Sequence, residues 1–201
     1  MTQEPLYSTI PTHYDERKAA AAAAFFLKSA PNARMKYIRL LKLLYLADRE
    51  AWKRYGRPIT GDEYMGWVRG PVLVTTYTLI RAEDEEAPTT TVWHQFVQRV
   101  GENDVRLRND PDYGPLSDAE MEILESVHQE NRNTGTWEII DDLHASLPEW
   151  KPPLGWRNEI RAENAIRPEK ILEAVGRAGQ IKDVQKDLEE LEAFQKLLGV
   201  R

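Results

Sequence analysis

MKYIRLLKLLYLADREAWKRY at residues 35–55, followed by GRPITGDEY at residues 56–64, decides the fold. At about 100° per residue, Tyr37, Leu40, Leu41, Leu44, Tyr45, Ala47, Ala51 and Trp52 fall on one broad helical face. Lys36, Arg39, Lys42, Arg49 and Lys53 share the other. Such a helix lays its apolar arc on a core and presents its cations to solvent. Asp48 breaks the pattern, because it sits near the middle of the apolar arc. A carboxylate buried there needs hydrogen bonds or a cation, or it costs on the order of several kcal/mol. The expectation is that Asp48 is buried and pins the loop at 56–64, with Arg57 as its cation and Thr60 as a hydrogen-bond donor. A catalytic carboxylate is the alternative, but the sequence places no second acid or histidine to work with it. Gly56 can adopt the left-handed conformation that closes the helix, and Pro58 blocks its continuation.

Working outward, Asp15 opens an earlier helix that runs through Ala19–Ala24 to Leu27 and stops at Pro31-Asn32. After the loop, residues 64–68 read as extended. Gly70-Pro71 then opens a third helix to about Arg81, with Pro71 at a first helical position where its missing N–H costs nothing. Glu83, Asp84, Glu85, Glu86 and Pro88 make an acidic loop. Residues 91–108 alternate as a hairpin that turns at Gly101-Glu102-Asn103-Asp104. Ser117 with Glu120 is a capping box for a helix at 118–132. Thr136 caps another at 137–146, which Pro148 ends. Lys151-Pro152-Pro153 begins a loop containing Gly155, and residues 158–167 have a mixed pattern. Pro168 starts a short helix to Val175. A last helix at 181–198 carries one apolar stripe: Ile181, Val184, Leu188, Leu191, Phe194 and Leu198. The fold class expected is mostly α (α+β), a compact helical domain with one small β-hairpin and a C-terminal amphipathic helix. Residues 1–12 are a loose lead-in, 13–150 the domain, and 151–201 a helical extension packed on the domain or on a partner.

Composition narrows the function. Six Trp and eight Tyr among 201 residues supply a core, and there is no cysteine for disulfides, thiolate metal sites or nucleophilic catalysis. That suits a reducing cytosol. No apolar run reaches the roughly 18 residues of a membrane span. Residues 1–12 lack a basic segment followed by an apolar one, so no secretory signal is expected. The protein is read as cytoplasmic, without membrane association. Net charge is −6, yet residues 28–57 carry nine basic side chains against Asp48 and Glu50 alone, a local +7 that leaves −13 elsewhere. This polarity points either to a partner with a charged face or to a solvated helix surface.

Catalytic signatures do not appear in the sequence. No two of His13, His94, His128 and His144 stand three or four apart, so there is no zinc-helix motif. Neither a phosphate-binding Gly-x-x-x-x-Gly-Lys nor a Gly-x-Ser-x-Gly elbow occurs. His144 reads as a structural residue. No enzyme activity, metal or cofactor is expected.

Several segments together resemble one family. They are Lys42-Leu43-Leu44-Tyr45-Leu46-Ala47-Asp48-Arg49, then residues 56–64, then Gly70-Pro71-Val72. Tyr14-Asp15-Glu16-Arg17-Lys18 precedes them; Leu116-Ser117, Trp137-Glu138, His144 and Leu147-Pro148-Glu149-Trp150 follow. This set is similar to the Panacea domain of SocA-like antitoxins over residues 14–150. Asp48, Arg57, Pro58, Thr60, Asp62, Gly70 and Pro71 are its signature positions here. The family often has Pro-His before Gly-Pro-Val, where this chain has Val68-Arg69, and Gly66 and Trp67 also depart from its pattern. The resemblance implies an antitoxin that neutralises a cognate toxin by direct binding. The toxin's identity is not legible, since the family pairs one scaffold with many unrelated toxins.

Two other functions remain open: an adaptor that delivers its partner to an energy-dependent protease, and a DNA-binding autoregulator. The second is disfavoured, because no aromatic or amide side chains interleave the basic positions and the net charge is negative. A homo-oligomer is left open. The surfaces expected to recognise a toxin are the basic face (Lys36, Arg39, Lys42, Arg49, Lys53), Trp67 with Arg69, and Leu188, Leu191 and Phe194 of the last helix. Trp67 packed inside is the rival reading for that side chain.

Overall fold

The computed structural model describes residues 8–82, 91–110, 113–153 and 164–199. The acidic loop at 83–86 with Pro88, the loop glycine Gly155, and most of the mixed stretch 158–167 lie outside the described residues.

The architecture is mostly α, with two small three-stranded antiparallel sheets. Helix α1 (Glu16–Lys28) is capped by Asp15, whose carboxylate accepts from the amides of Arg17 and Lys18. Ala19–Ala24 are all buried. Their lack of bulk lets α1 lie close against α2 (Tyr37–Tyr55) and α4 (Val92–Phe96). Helix α2 is the central element: α1, α5 (Asp118–Asn131), α6 (Thr136–Ser146) and α7 (Pro168–Ala174) all pack on it. Gly56 closes α2 in the left-handed conformation at φ 70°, as the sequence leads one to expect.

Three local readings are corrected. Met35 and Lys36 do not begin α2. With Arg34 they form strand β1 (Arg34–Lys36), which pairs with β5 (Asp104–Leu107), itself paired with β4 (Val97–Val100). The hairpin at 91–108 is therefore real only from Val97. Its first half is α4, which Thr91 caps by accepting from the His94 amide and which buries the adjacent Trp93 and His94. Gly70-Pro71 does not open a helix. Strand β3 (Gly70–Leu73) folds back on β2 (Tyr64–Trp67) as a second hairpin, and α3 (Val74–Ala82) starts only afterwards. Pro71 is tolerated because β3 is an edge strand.

Residues 8–10 and much of the segment from Ala165 onward are built into this frame. Ile10 is buried, and Glu169 accepts from the Ser8 and Thr9 hydroxyls and the Thr9 amide, so residues 8–10 are tied down rather than loose. Strand β6 (Ala165–Ile166) adds to β2, and Ile171 and Leu172 of α7 enter the core. Arg177 donates to the carbonyls of Trp52 and Lys53 at the end of α2. Helix α8 (Ile181–Leu197) then lays Val184 on Gly56 and leaves Phe194, Leu197 and Leu198 exposed.

Candidate functional site

The turn after α2 is organised by two buried carboxylates. Asp48 has no solvent exposure. Its Oδ1 accepts from the amides of Ile59 (2.8 Å) and Thr60 (2.9 Å). Its Oδ2 accepts from the hydroxyls of Thr60 (2.5 Å) and Tyr64 (3.0 Å). Tyr64 in turn accepts from the Trp52 indole. The expected pinning of the loop by Asp48 and the Thr60 donor are both present, but Arg57 is not the cation. It is exposed, and four neutral donors take its place. Burial pushes the Asp48 carboxyl up to about 6, with those hydrogen bonds restraining the rise.

Asp62 is the second carboxylate, and it holds a different element. Oδ1 accepts from the amides of Glu63 and Thr75, and Oδ2 from the amide and hydroxyl of Thr76. Thr75 and Thr76 stand in the first turn of α3, so Asp62 caps that helix from a distant loop. Gly61 between the carboxylates is at φ 67°, and a Cβ there would lie 2.0 Å from the His13 carbonyl oxygen. The loop thus closes directly onto the segment leading into α1, where the Asp15 amide donates to Thr60 O.

The supposed basic face of α2 divides. Lys42 is completely buried, and its Nζ donates to Pro71 O at 2.6 Å. Burial, with the nearby charge of Arg69, brings its ammonium down to about 7. Arg49 is bound to Glu149 (2.6 Å), whose side chain is fully covered and also accepts from the Tyr45 hydroxyl. Lys42 and Arg49 are therefore internal supports, not a free cationic surface. Lys53 is exposed and paired with Glu50. Lys36 is exposed, and Arg39 is half-buried with its guanidinium donating to the carbonyls of Asn131 and Thr134.

Trp67 is also internal. It is 6% exposed, its ring meets Tyr77 edge-on at 4.8 Å, and its carbonyl accepts from the Trp150 indole. The packed alternative holds, and Trp67 is not a surface anchor. Gly66 leaves room for Trp150, since a Cβ there would sit 3.3 Å from that ring. His144 stacks on Trp150 at 4.2 Å, and its buried Nε2 has no hydrogen-bond partner among the described residues. Arg69 stays outside, with its guanidinium 5.1 Å above the Trp137 ring. Trp137, itself 54% exposed, was missed as a surface residue. Its place at the second position of a capped helix, off the apolar stripe of Ile139, Ile140 and Leu143, is the signal that could have found it. On α8, Leu188 is half-buried, while Leu191 and Phe194 are exposed. Among the described residues, no three His, Asp or Glu side chains converge to hold a metal ion, and no helix is long and apolar enough to cross a membrane.

These features define a class: a mostly helical α+β domain whose central helix is closed by a loop held on two buried carboxylates. The family model described as "Antitoxin SocA-like, Panacea domain" matches residues 40–151, more than half of the chain and all of this loop. The chain belongs to that family, and the role this carries is that of an antitoxin. No curated protein and no solved structure matches the chain.

Proposed function

We propose that this protein neutralises a cognate protein toxin by binding it directly, without catalysis. The observation that carries this reading is the division of labour between its interior and its surface. The side chains of Asp48, Asp62, Lys42 and Glu149 are buried and engaged with backbone or neighbouring side chains, which supports a structural role for these polar groups. The outside carries Arg69 over an exposed Trp137, the two residue types that most often anchor protein interfaces. The partner is a protein toxin, as the antitoxin family implies.

The test is co-expression with the toxin encoded in the same operon. Arg69→Ala and Trp137→Ala should each weaken toxin binding by about tenfold or more, mainly through faster dissociation. Both variants should melt at the wild-type temperature, because each side chain is exposed. If both fold and restore growth as well as the wild type does, this face is not the recognition surface. If the wild-type protein itself fails to bind the toxin or restore growth, direct neutralisation is wrong.

A further inference from the structure

A groove of about 320 Å³ opens where the end of α1 and strand β1 face the turn between α5 and α6. Its lining is one-sided in charge. Arg34, Lys36, Arg39 and Arg132 contribute to it, and no Asp or Glu does. Asp104 compensates Arg34 from outside the groove. Arg39 is half-buried at the groove, bound only to the carbonyl oxygens of Asn131 and Thr134, so its hydrogen bonds are partly met but its charge is not. Burial lowers its affinity for its proton. Lys36 and Arg132 are exposed and form no ion pair among the described residues. The Thr134 and Thr136 side chains add hydroxyl donors beside them.

The rim is strained. Asn32 and Ala33 stand in succession in the left-handed region, at φ 55° and 49°. For alanine this conformation is disfavoured, because it brings Cβ too close to the following carbonyl oxygen. Two backbone bonds hold the turn, from Ala33 N to Ala30 O and from Arg34 N to Pro31 O. The strained turn sets the edge of the groove beside Arg34. Backbone strain of this kind concentrates at binding sites.

We propose that this groove receives a carboxylate-bearing segment of the partner toxin, with Lys36 and Arg132 as its outer contacts and Arg39 at its base. The assignment of the segment to a toxin rests on the antitoxin reading; the preference for carboxylates rests on the groove. Charge complementarity argues for an acidic peptide, since Lys36, Arg39 and Arg132 meet no anion among the described residues, in a chain whose net charge is −6. A nucleic acid is the poorer fit. Outside residues 28–57 the chain carries −13, which disfavours a long polyanion. Of the two aromatic rings in the lining, Phe26 is buried in the core and His128 is half-buried with its ring against Phe25, so neither presents an open face for a base to stack on.

The experiment titrates the full-length, isotopically labelled protein with an octapeptide alternating Asp and Gly, with its Asn counterpart, and with a single-stranded oligonucleotide. Saturable amide shifts at residues 31–36 and 131–136 with the Asp peptide, on the order of tenfold weaker with the Asn peptide, are expected. They should vanish in the Lys36→Glu/Arg132→Glu variant, which changes only exposed side chains. Shifts elsewhere, equal response to the Asn peptide, no saturation at millimolar peptide, or tighter binding of the oligonucleotide in the groove would overturn the proposal. The same variant is then tested for rescue of growth from the operon's toxin. Rescue equal to wild type sinks the groove while the antitoxin reading stands. Failure of the wild-type protein to rescue sinks that reading and the toxin assignment, and the peptide titration alone then decides the groove.

Discussion

Asp48 accepts four hydrogen bonds in a place water does not reach, and removing it strands two amides and two hydroxyls. Asp48→Ala should therefore lose about 3 kcal/mol or more in urea unfolding, since each buried donor left unsatisfied costs about 1–3 kcal/mol. Asp48→Asn keeps an oxygen for the two amides and turns an NH2 toward hydroxyls that can accept, so its loss at neutral pH should be much smaller. The two variants also separate the effect of charge. With its carboxyl raised to about 6 against an ordinary 3.8, native Asp48 holds a proton that the unfolded chain has released. Its contribution to stability is complete below pH 3.8 and is lost as pH rises through 6. The stability difference between wild type and Asp48→Asn should shrink over that window by about 3 kcal/mol at most. A difference that stays flat with pH would show that the carboxyl is not raised. Lys42 works in the opposite direction. Its ammonium is lowered to about 7, so its contribution is complete above pH 10.5 and is lost as pH falls through 7. Lys42→Met should remove the rise in stability between pH 7 and 10, measured by denaturant midpoints. Asp48 was legible because a charge in an apolar arc demands an explanation. Lys42 was not, because its cover comes from β3, 28 positions downstream, in a segment whose Gly-Pro pair reads as a helix start.

Elements with their own start signals were legible, and those defined by a neighbour were not. Asp15, the Ser117–Glu120 capping box and Pro168 each mark a helix start within a residue or two of where it occurs. Strand β1 has three residues and no period to read. It exists because β5 supplies its partner. Helix α4 spans five residues, too few to distinguish a helical period from the alternation of the strand that follows it. Helix α3 has little local support, since its cap, Asp62, lies 13 and 14 residues before the Thr75 and Thr76 amides it accepts from, in the loop that Asp48 pins. This couples the two carboxylates mechanically: one closes α2 onto the loop, and the other passes that position on to α3. Asp62→Ala should lose the ordinary 0.5–2 kcal/mol of a helix cap, and more in total because Thr76 is buried. Amide hydrogen exchange should accelerate first at Thr75 and Thr76 while α5 and α6 keep their protection. Uniform acceleration across the domain would mean that Asp62 supports the whole fold and not α3 in particular.

At the scale of the whole molecule, the C-terminal segment is two things in sequence. From Ala165 to Leu188 it packs on the domain: β6 completes a sheet, α7 fills the core, Arg177 caps α2, and Val184 packs where a Cβ on Gly56 would come within 2.8 Å. Glu192 adds a contact to His13 at 3.4 Å. Beyond it, Phe194, Leu197 and Leu198 stand 58%, 85% and 61% exposed, so the apolar stripe outlasts the surface it packs on. A uniform amphipathic pattern runs through both parts, and the sequence alone could not say where the domain stops covering it. Two deletions should separate them. Removing residues 179–201 uncovers Gly56, loses the burial of Val184 and half-buried Ile181 and Leu188, and should cost about 2–4 kcal/mol. Removing only residues 193–201 spares every one of those contacts and should change stability by less than about 0.5 kcal/mol, since surface residues contribute little. The shorter deletion is then the informative one for function. Its melting temperature should equal that of the full chain, so any loss of toxin binding or growth rescue would report a lost partner contact and not a lost fold. A clear drop in its stability would instead place Phe194, Leu197 and Leu198 against the domain, contrary to their exposure.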